Sequence, residues 1–189
     1  MDQSMRYNIV EASDNPVQEW LPAEDLGRIF KGRTESIVGL EIGTDTGIST
    51  RYLLDMIPGL KLYGIDPYTN YIDWNNMNLN EREEAYKIFM HSLSRYGNRH
   101  VHYRMTSDDA VSKFEDESLD FIFVDGLHTY DQVLLDCRNY YPKLKKNGLF
   151  CGHDYGTIEE VRRAVDEFAK EVNKEIQFMR QDNWTWIKD

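Results

Sequence analysis

Five short apolar runs dominate the chain: SIVGLEI at residues 36–42, LKLYGI at 60–65, HVHYRM at 100–105, LDFIFV at 119–124 and GLFCG at 148–152. None shows the clean two-residue alternation of a sheet with one wet face, so each is expected to be a strand covered on both faces. A stretch with helical spacing follows each run, at roughly residues 48–57, 81–96, 107–114, 129–144 and 158–173. Strands that alternate with helices join in parallel, which predicts an α/β, Rossmann-like doubly wound sheet. In the last helix Ile158, Val161, Val165, Phe168 and Val172 recur at helical spacing, with Thr157 and Glu160 placed as a capping box. Beyond it, EIQFMRQ and WTWIKD are separated by Asp182 and Asn183 alone. That gap is too short for a crossover helix, so the two segments must pair antiparallel. The expected sheet has seven strands, mostly parallel, ending in an antiparallel C-terminal hairpin, with ligands beyond the C-terminal strand ends.

A length of 189 residues fits a single domain over residues 1–189, in which 1–36 form a lead or lid segment with a short helix around residues 23–30. Lys and Arg total 22 against 33 Asp and Glu, and the net charge of −11 opposes the phosphate neutralisation that nucleic acid requires. No run reaches the roughly 18 apolar residues of a membrane span. The first residues have neither the basic start nor the apolar core of a signal peptide. A cytoplasmic protein with neither nucleic acid nor membrane as partner is expected. Cys137 and Cys151 suit reduced, buried thiols better than a disulfide framework or a zinc site. Nothing here fixes the oligomeric state.

Function-bearing residues gather at the strand ends. In LEIGTDTGIST, residues 40–50, Gly43 ends the first strand and Gly47 opens the next helix, with Ser49 and Thr50 in its first turn. Free backbone N–H groups there can meet a polar ligand. The missing lysine after Gly47 excludes a P-loop, and the missing third glycine weakens a dinucleotide reading. Asp66 closes the second strand, where a carboxylate can accept both hydroxyls of a ribose. Either feature alone could serve only a turn, but together at successive strand ends they point to a nucleoside without a pyrophosphate.

A second constellation stands at the next two ends: Asp125 with His128 after the fourth strand, His153 and Asp154 after the fifth. Adjacent strands lie roughly 4.8 Å apart, so these groups can converge. Carboxylates beside histidine suit Mg²⁺ more than Zn²⁺. Such a site can stabilise an alkoxide while an imidazole takes the proton. His91, His100 and His102 have no such company and are expected to be structural or solvated. Tyr68, Tyr71 and Trp74 could wall an acceptor or pack back on the domain, Tyr130 and Tyr155 are open to either role, and Lys145 and Lys146 are expected in a solvated turn.

The stretches EIGTDTGIST, GIDPY and LDFIFVDGLHTYDQVLLDCRNYYPKLKKNGLFCGHDY, with the closing hairpin, resemble the class I methyltransferases that use S-adenosylmethionine. They are most similar to the small metal-dependent O-methyltransferases that include the macrolide and aminocoumarin sugar enzymes. The resemblance spans roughly residues 36–189, and VDGLHTYD followed by KNGLFCGHDY is its more specific part. It implies Glu41, Gly43 and Gly47 at the methionine end of the cofactor, Asp66 at the ribose and Ser107 near the adenine, with Thr44, Ser49 and Asp125 completing the cofactor contacts. It further implies Asp125, His153 and Asp154 as Mg²⁺ ligands and His128 as general base, with His153 standing where those families often carry an acid. The implied reaction is methyl transfer to a hydroxyl of a sugar or glycosylated small molecule. A phenol or catechol acceptor, a catalytically silent nucleoside-binding module and, more weakly, an NAD-dependent oxidoreductase are the alternatives.

Overall fold

The computed structural model describes residues 23–69, 79–180 and 182–189, without the side chains of 79 and 80. Seven strands, β1 (Ile37–Ile42), β2 (Leu60–Ile65), β3 (His100–Tyr103), β4 (Leu119–Val124), β5 (Leu144–Gly152), β6 (Gln177–Phe178) and β7 (Trp184–Ile187), form one sheet in the order β3-β2-β1-β4-β5-β7-β6. The first five run parallel, and β7 is antiparallel to both β5 and β6. Strand order reverses between β1 and β4, so the ligand crevice of such a sheet opens at their C-terminal ends.

Helices cover both faces, which explains why the strands lack alternation. On one side α1 (Glu24–Ile29), α2 (Ile48–Met56) and α3 (Leu79–Leu93) bury Leu26, Leu53 and Phe89 against Ile37, Leu62, Phe121 and Leu149. On the other, α4 (Ser107–Ala110), α5 (Tyr130–Tyr140) and α6 (Glu159–Glu171) bury Ala110, Val133, Cys137, Val165 and Phe168 against Leu40, Ile122, Phe150 and Trp186. Each fully buried Leu, Ile or Phe contributes roughly 1.5–3 kcal/mol. Of the lead segment, α1 belongs to this core: Ala23, Leu26 and Phe30 are buried, and the Phe30 ring lies 5.3 Å from that of Phe121. Residues 1–22 lie outside the described residues.

Local chemistry shifts several boundaries. The helices expected to reach residues 96, 114 and 144 stop at Leu93, Ala110 and Tyr140, and short 3-10 segments take over at Ser94–Arg99, Val111–Lys113 and Tyr141–Lys143. Gly97 leaves the helical region at φ 55°, and Pro142 sits at the start of its 3-10 segment. Lys145 and Lys146 belong to a bulged strand rather than a turn. Leu119 pairs with Leu144 but Phe121 with Leu149, the surplus residues include Asn147 at φ 60°, and Lys145 Nζ bonds Asp120 at 2.9 Å. The Thr157 capping box does not form: Ile158 is the N-cap of α6 and makes no side-chain cap bond. Asp182 accepts instead from the backbone N–H groups of Gly156 at 2.5 Å and Thr157 at 2.8 Å.

Candidate active site

Backbone conformation fixes the turn after β1. Gly43 adopts φ 87° and donates its N–H to the Ile65 carbonyl at 2.8 Å. A methyl group there would stand 1.8 Å from the Asp125 carbonyl oxygen, so only glycine permits β1 and β4 to close together. Gly47, at φ 79°, is the N-cap of α2 and brings the chain back through an N–H bond to the Thr44 carbonyl at 2.8 Å. Between them Asp45 holds φ 41° without being glycine. The Asp66 carboxylate fastens this turn, accepting from Thr44 N at 3.2 Å, Asp45 N at 3.0 Å and Tyr68 N at 2.9 Å. Arg82, reaching in from α3, places Nη2 2.9 and 3.0 Å from the two Asp66 oxygens and Nη1 3.1 Å from Asp45 Oδ1.

Tyr68 is part of this turn and not of an acceptor wall. It is 1% exposed, donates its hydroxyl to the Asp45 carbonyl, bonds Thr44 Oγ1 at 3.0 Å and packs on Tyr86, Phe89 and His102. Tyr71 and Trp74 lie outside the described residues. On β1 itself Glu41 is buried and accepts from Thr50 Oγ1 at 2.5 Å. Burial lifts its carboxyl to about 8, with the nearby Asp125 and Asp66 charges adding to the rise against the Thr50 bond. Ser49 stands half-buried in the first turn of α2.

A cavity of about 160 Å³ opens beside this turn. Ile42, Ile65, Pro67 and Leu127 give it apolar walls, and Gly43, Asp66, Ser107, Asp108, Gln132 and Asp136 supply polar atoms. Of the residues anticipated for a cofactor, Gly43, Asp66 and Ser107 line it, while Glu41, Thr44, Gly47, Ser49 and Asp125 do not. Sequence reasoning missed Gln132 and Asp136. Gln132 Nε2 donates to Ser107 Oγ at 3.2 Å, Asp108 Oδ1 at 3.2 Å and Asp136 Oδ1 at 3.1 Å, and Tyr140 donates to the Ser107 carbonyl at 2.6 Å. Burial raises the Asp136 carboxyl to about 7 against its bonds to Ser107 and Gln132.

One strand away, the ends of β4 and β5 bring Asp125, His128, His153 and Asp154 together as expected. His128 Nε2 lies 3.4 Å from Asp125 Oδ1 and 3.1 Å from Asp154 Oδ2. His153 Nδ1 lies 3.2 Å from Asp154 Oδ1 and 3.8 Å from Asp125 Oδ1. Asp125, His128 and Asp154 each offer a donor atom within 4.8 Å of the others, close enough for one cation to bridge. Desolvation pulls the His153 imidazole down, yet its bond to Asp154 and the charges around it leave it raised. Burial works to raise Asp154, and His153 outweighs it, lowering that carboxyl.

The remaining candidates are structural. On β3, His100 and His102 pack against Phe89 of α3 with ring centroids 5.3 and 4.6 Å away, and burial depresses both imidazoles to about 4. Tyr130 bonds Glu167 at 2.5 Å and Tyr155 bonds Asp166 at 2.6 Å, tying the start of α5 and the turn after β5 to α6. Cys137 and Cys151 are free thiols in the core. Among the described residues no helix is long and apolar enough to cross a membrane.

Residues 40–155 match the family model described as a methyltransferase domain. Among curated proteins, an uncharacterized protein of Acanthamoeba polyphaga mimivirus is 28% identical over 155 residues, covering 79% of this chain and 66% of its own length. An uncharacterized protein of Sinorhizobium fredii is 35% identical over 72 residues, 38% of this chain and 8% of that protein. Of solved structures, one described as a caffeoyl-CoA O-methyltransferase from Staphylococcus aureus is similar at TM-score 0.61 and 18% identity, over 81% of this chain and 76% of that one. The O-methyltransferase NovP gives TM-score 0.61 and 17% identity over 82% and 72%. Spermidine synthase from Thermotoga maritima gives 0.52 and 17% over 86% and 58%, so this fold by itself does not choose an acceptor.

Proposed function

Because this chain belongs to the methyltransferase-domain family, and folds as its S-adenosylmethionine-dependent class I members do, we propose that it methylates a hydroxyl of a sugar or glycosylated small molecule. The observation that carries the reading is the meeting of Asp125, His128 and Asp154 one strand from the cavity lined by Gly43, Asp66 and Ser107. S-adenosylmethionine supplies an activated methyl on its sulfonium, so the protein's work is alignment, exclusion of water and handling of one proton. Asp66 holds the ribose, Ser107 and Gln132 face the base, and Glu41 stands toward the methionine end. A neutral hydroxyl is a weak nucleophile; His128 Nε2 takes its proton, and the two carboxylates within 3.4 Å stabilise the imidazolium.

The acidic corner also fits a divalent cation such as Mg²⁺, which would polarise the acceptor oxygen. Two divisions of labour suit the donors. Asp125, Asp154 and His153 hold the cation while His128, the more exposed imidazole at 17% against 2%, serves as base. Alternatively His128 itself completes the ligand set, a reading favoured by the 4.8 Å grouping that it shares with both carboxylates. Calorimetric titration of Mn²⁺ separates them: the first predicts binding retained in His128→Ala and lost in His153→Ala, the second the reverse. For the overall reading, labelled S-adenosylmethionine is offered with glycosylated and catechol acceptors. Methylation of the former supports the sugar assignment, exclusive methylation of catechols replaces it, and cofactor binding without transfer to either class turns the protein into a silent binding module.

A further inference from the structure

We propose that Arg82 competes with the cofactor for the Asp66 carboxylate: its guanidinium bonds both Asp66 oxygens and withdraws to Asp45 when cofactor enters. The inference rests on the reading that Asp66 holds the cofactor ribose.

An ionised carboxylate offers about four lone-pair directions. Asp66 has filled three with the backbone N–H groups of Thr44, Asp45 and Tyr68, and Arg82 Nη2 straddles both oxygens at 2.9 and 3.0 Å. A ribose diol needs acceptor room on that same carboxylate. Three of the donors are main-chain groups of the turn and cannot leave without undoing it. Arg82 is the side chain that can. It already has a second hold, because Nη1 lies 3.1 Å from Asp45 Oδ1. The Asp45 carboxylate is 56% exposed where that of Asp66 is 4%, so a guanidinium that slides to Asp45 alone moves toward water and not into a sealed core. This gives the aspartate at the left-handed position of the loop a use that a turn alone does not require.

The placement of Arg82 supports a role beyond stability. It shares the buried phase of α3 with Ala85, Phe89 and Leu93, each no more than 6% exposed. A buried ion pair is weak grounds for stability, since apolar replacements often serve as well. A charge kept at a core position beside a ligand site is accounted for when the ligand must exchange with it. Apparent cofactor affinity is then reduced by the fraction of molecules in which Arg82 covers Asp66.

The full chain is titrated with S-adenosylhomocysteine at equilibrium and by stopped flow, as wild type, Arg82→Met, Arg82→Lys and Asp66→Asn, with thermal melting to confirm folding. In the wild type the observed association rate is expected to level off with ligand concentration, and in Arg82→Met to rise linearly with affinity about fivefold tighter or more. Arg82→Lys, which keeps the charge but cannot fork across two oxygens, is expected to fall between and decides the matter if the Met variant does not fold. Weaker binding in either Arg82 variant, with an unchanged association rate, would mean that Arg82 props Asp66 in place and would overturn the proposal. Asp66→Asn binding like wild type would instead remove the ribose reading itself, and the Arg82 inference with it.

Discussion

The two corners of the crevice use the same residue type in opposite ways. At the end of β2, Asp66 is 3% exposed and is held by backbone N–H groups and a guanidinium, none of which gives up a proton near neutral pH. At the ends of β4 and β5, Asp125 and Asp154 keep side-chain exposures of 19% and 12% and face two imidazoles. A carboxylate fixed by main-chain donors makes a rigid acceptor for a ligand. One that shares its oxygens with histidine can exchange a proton or a cation. On the proposed function the difference separates recognition from chemistry, and substitutions should separate them too.

The largest effect is expected at the β4 and β5 corner. His128→Ala should lower the rate of methyl transfer by about 10²- to 10⁴-fold, the usual weight of a general base, while S-adenosylhomocysteine affinity stays near wild type. Loss of both together would break the division between the corners. Next comes Asp66→Ala, which should weaken S-adenosylhomocysteine by an order of magnitude or more, about 1.4 kcal/mol. Calorimetry against NADH as a control also checks that the nucleoside, and not a dinucleotide, is what the turn selects.

A smaller effect should appear in stability against pH. Glu41 titrates at about 8 in the folded chain against 4.5 for an ordinary glutamate. Between those values the folded state binds the extra proton, so stability falls as pH rises through the window and levels off above it. Asp136, at about 7 against 3.8, acts in the same direction. His100 and His102, at about 4 against 6.5, act oppositely and cost stability as pH falls below 6.5. Glu41→Gln should therefore melt close to wild type near the acid end of the Glu41 window and gain on it steadily toward pH 8. Melting curves that stay parallel across the window would place the Glu41 proton elsewhere.

Much of this could be read from residues in a row. The both-face burial of β1 and β4 shows as apolar runs without clean alternation, and Asp66, Asp125, His128, His153 and Asp154 announce themselves by standing just past strand ends. What was missed came from helices. Arg82 and Asp136 occupy the buried phase of α3 and α5, Asp136 beside Val133, Cys137 and Tyr140. A charge at a core phase is visible in sequence, but its partner is not: Arg82 meets Asp66 across 16 residues, and Asp136 meets the Ser107 corner through Gln132. For Tyr68 the sequence left two roles open, and burial against Tyr86, Phe89 and His102 selects packing back on the domain.

The start of α6 sharpens that lesson at the small end of the scale. Thr157 followed by Glu160 has the spacing of a capping box, yet no side chain caps α6, and Asp182 from the loop before β7 instead bonds the Gly156 and Thr157 N–H groups of the turn that leads into the helix. The two assignments predict different losses. Thr157→Val leaves both N–H bonds in place and should change stability by less than about 0.5 kcal/mol. Asp182→Ala removes both acceptor bonds from the turn that leads into α6 and should cost about 1 kcal/mol. Because Asp182 also joins α6 to the β6–β7 loop, its removal should speed amide exchange in both segments together, whereas a local cap would loosen the first turn of the helix alone.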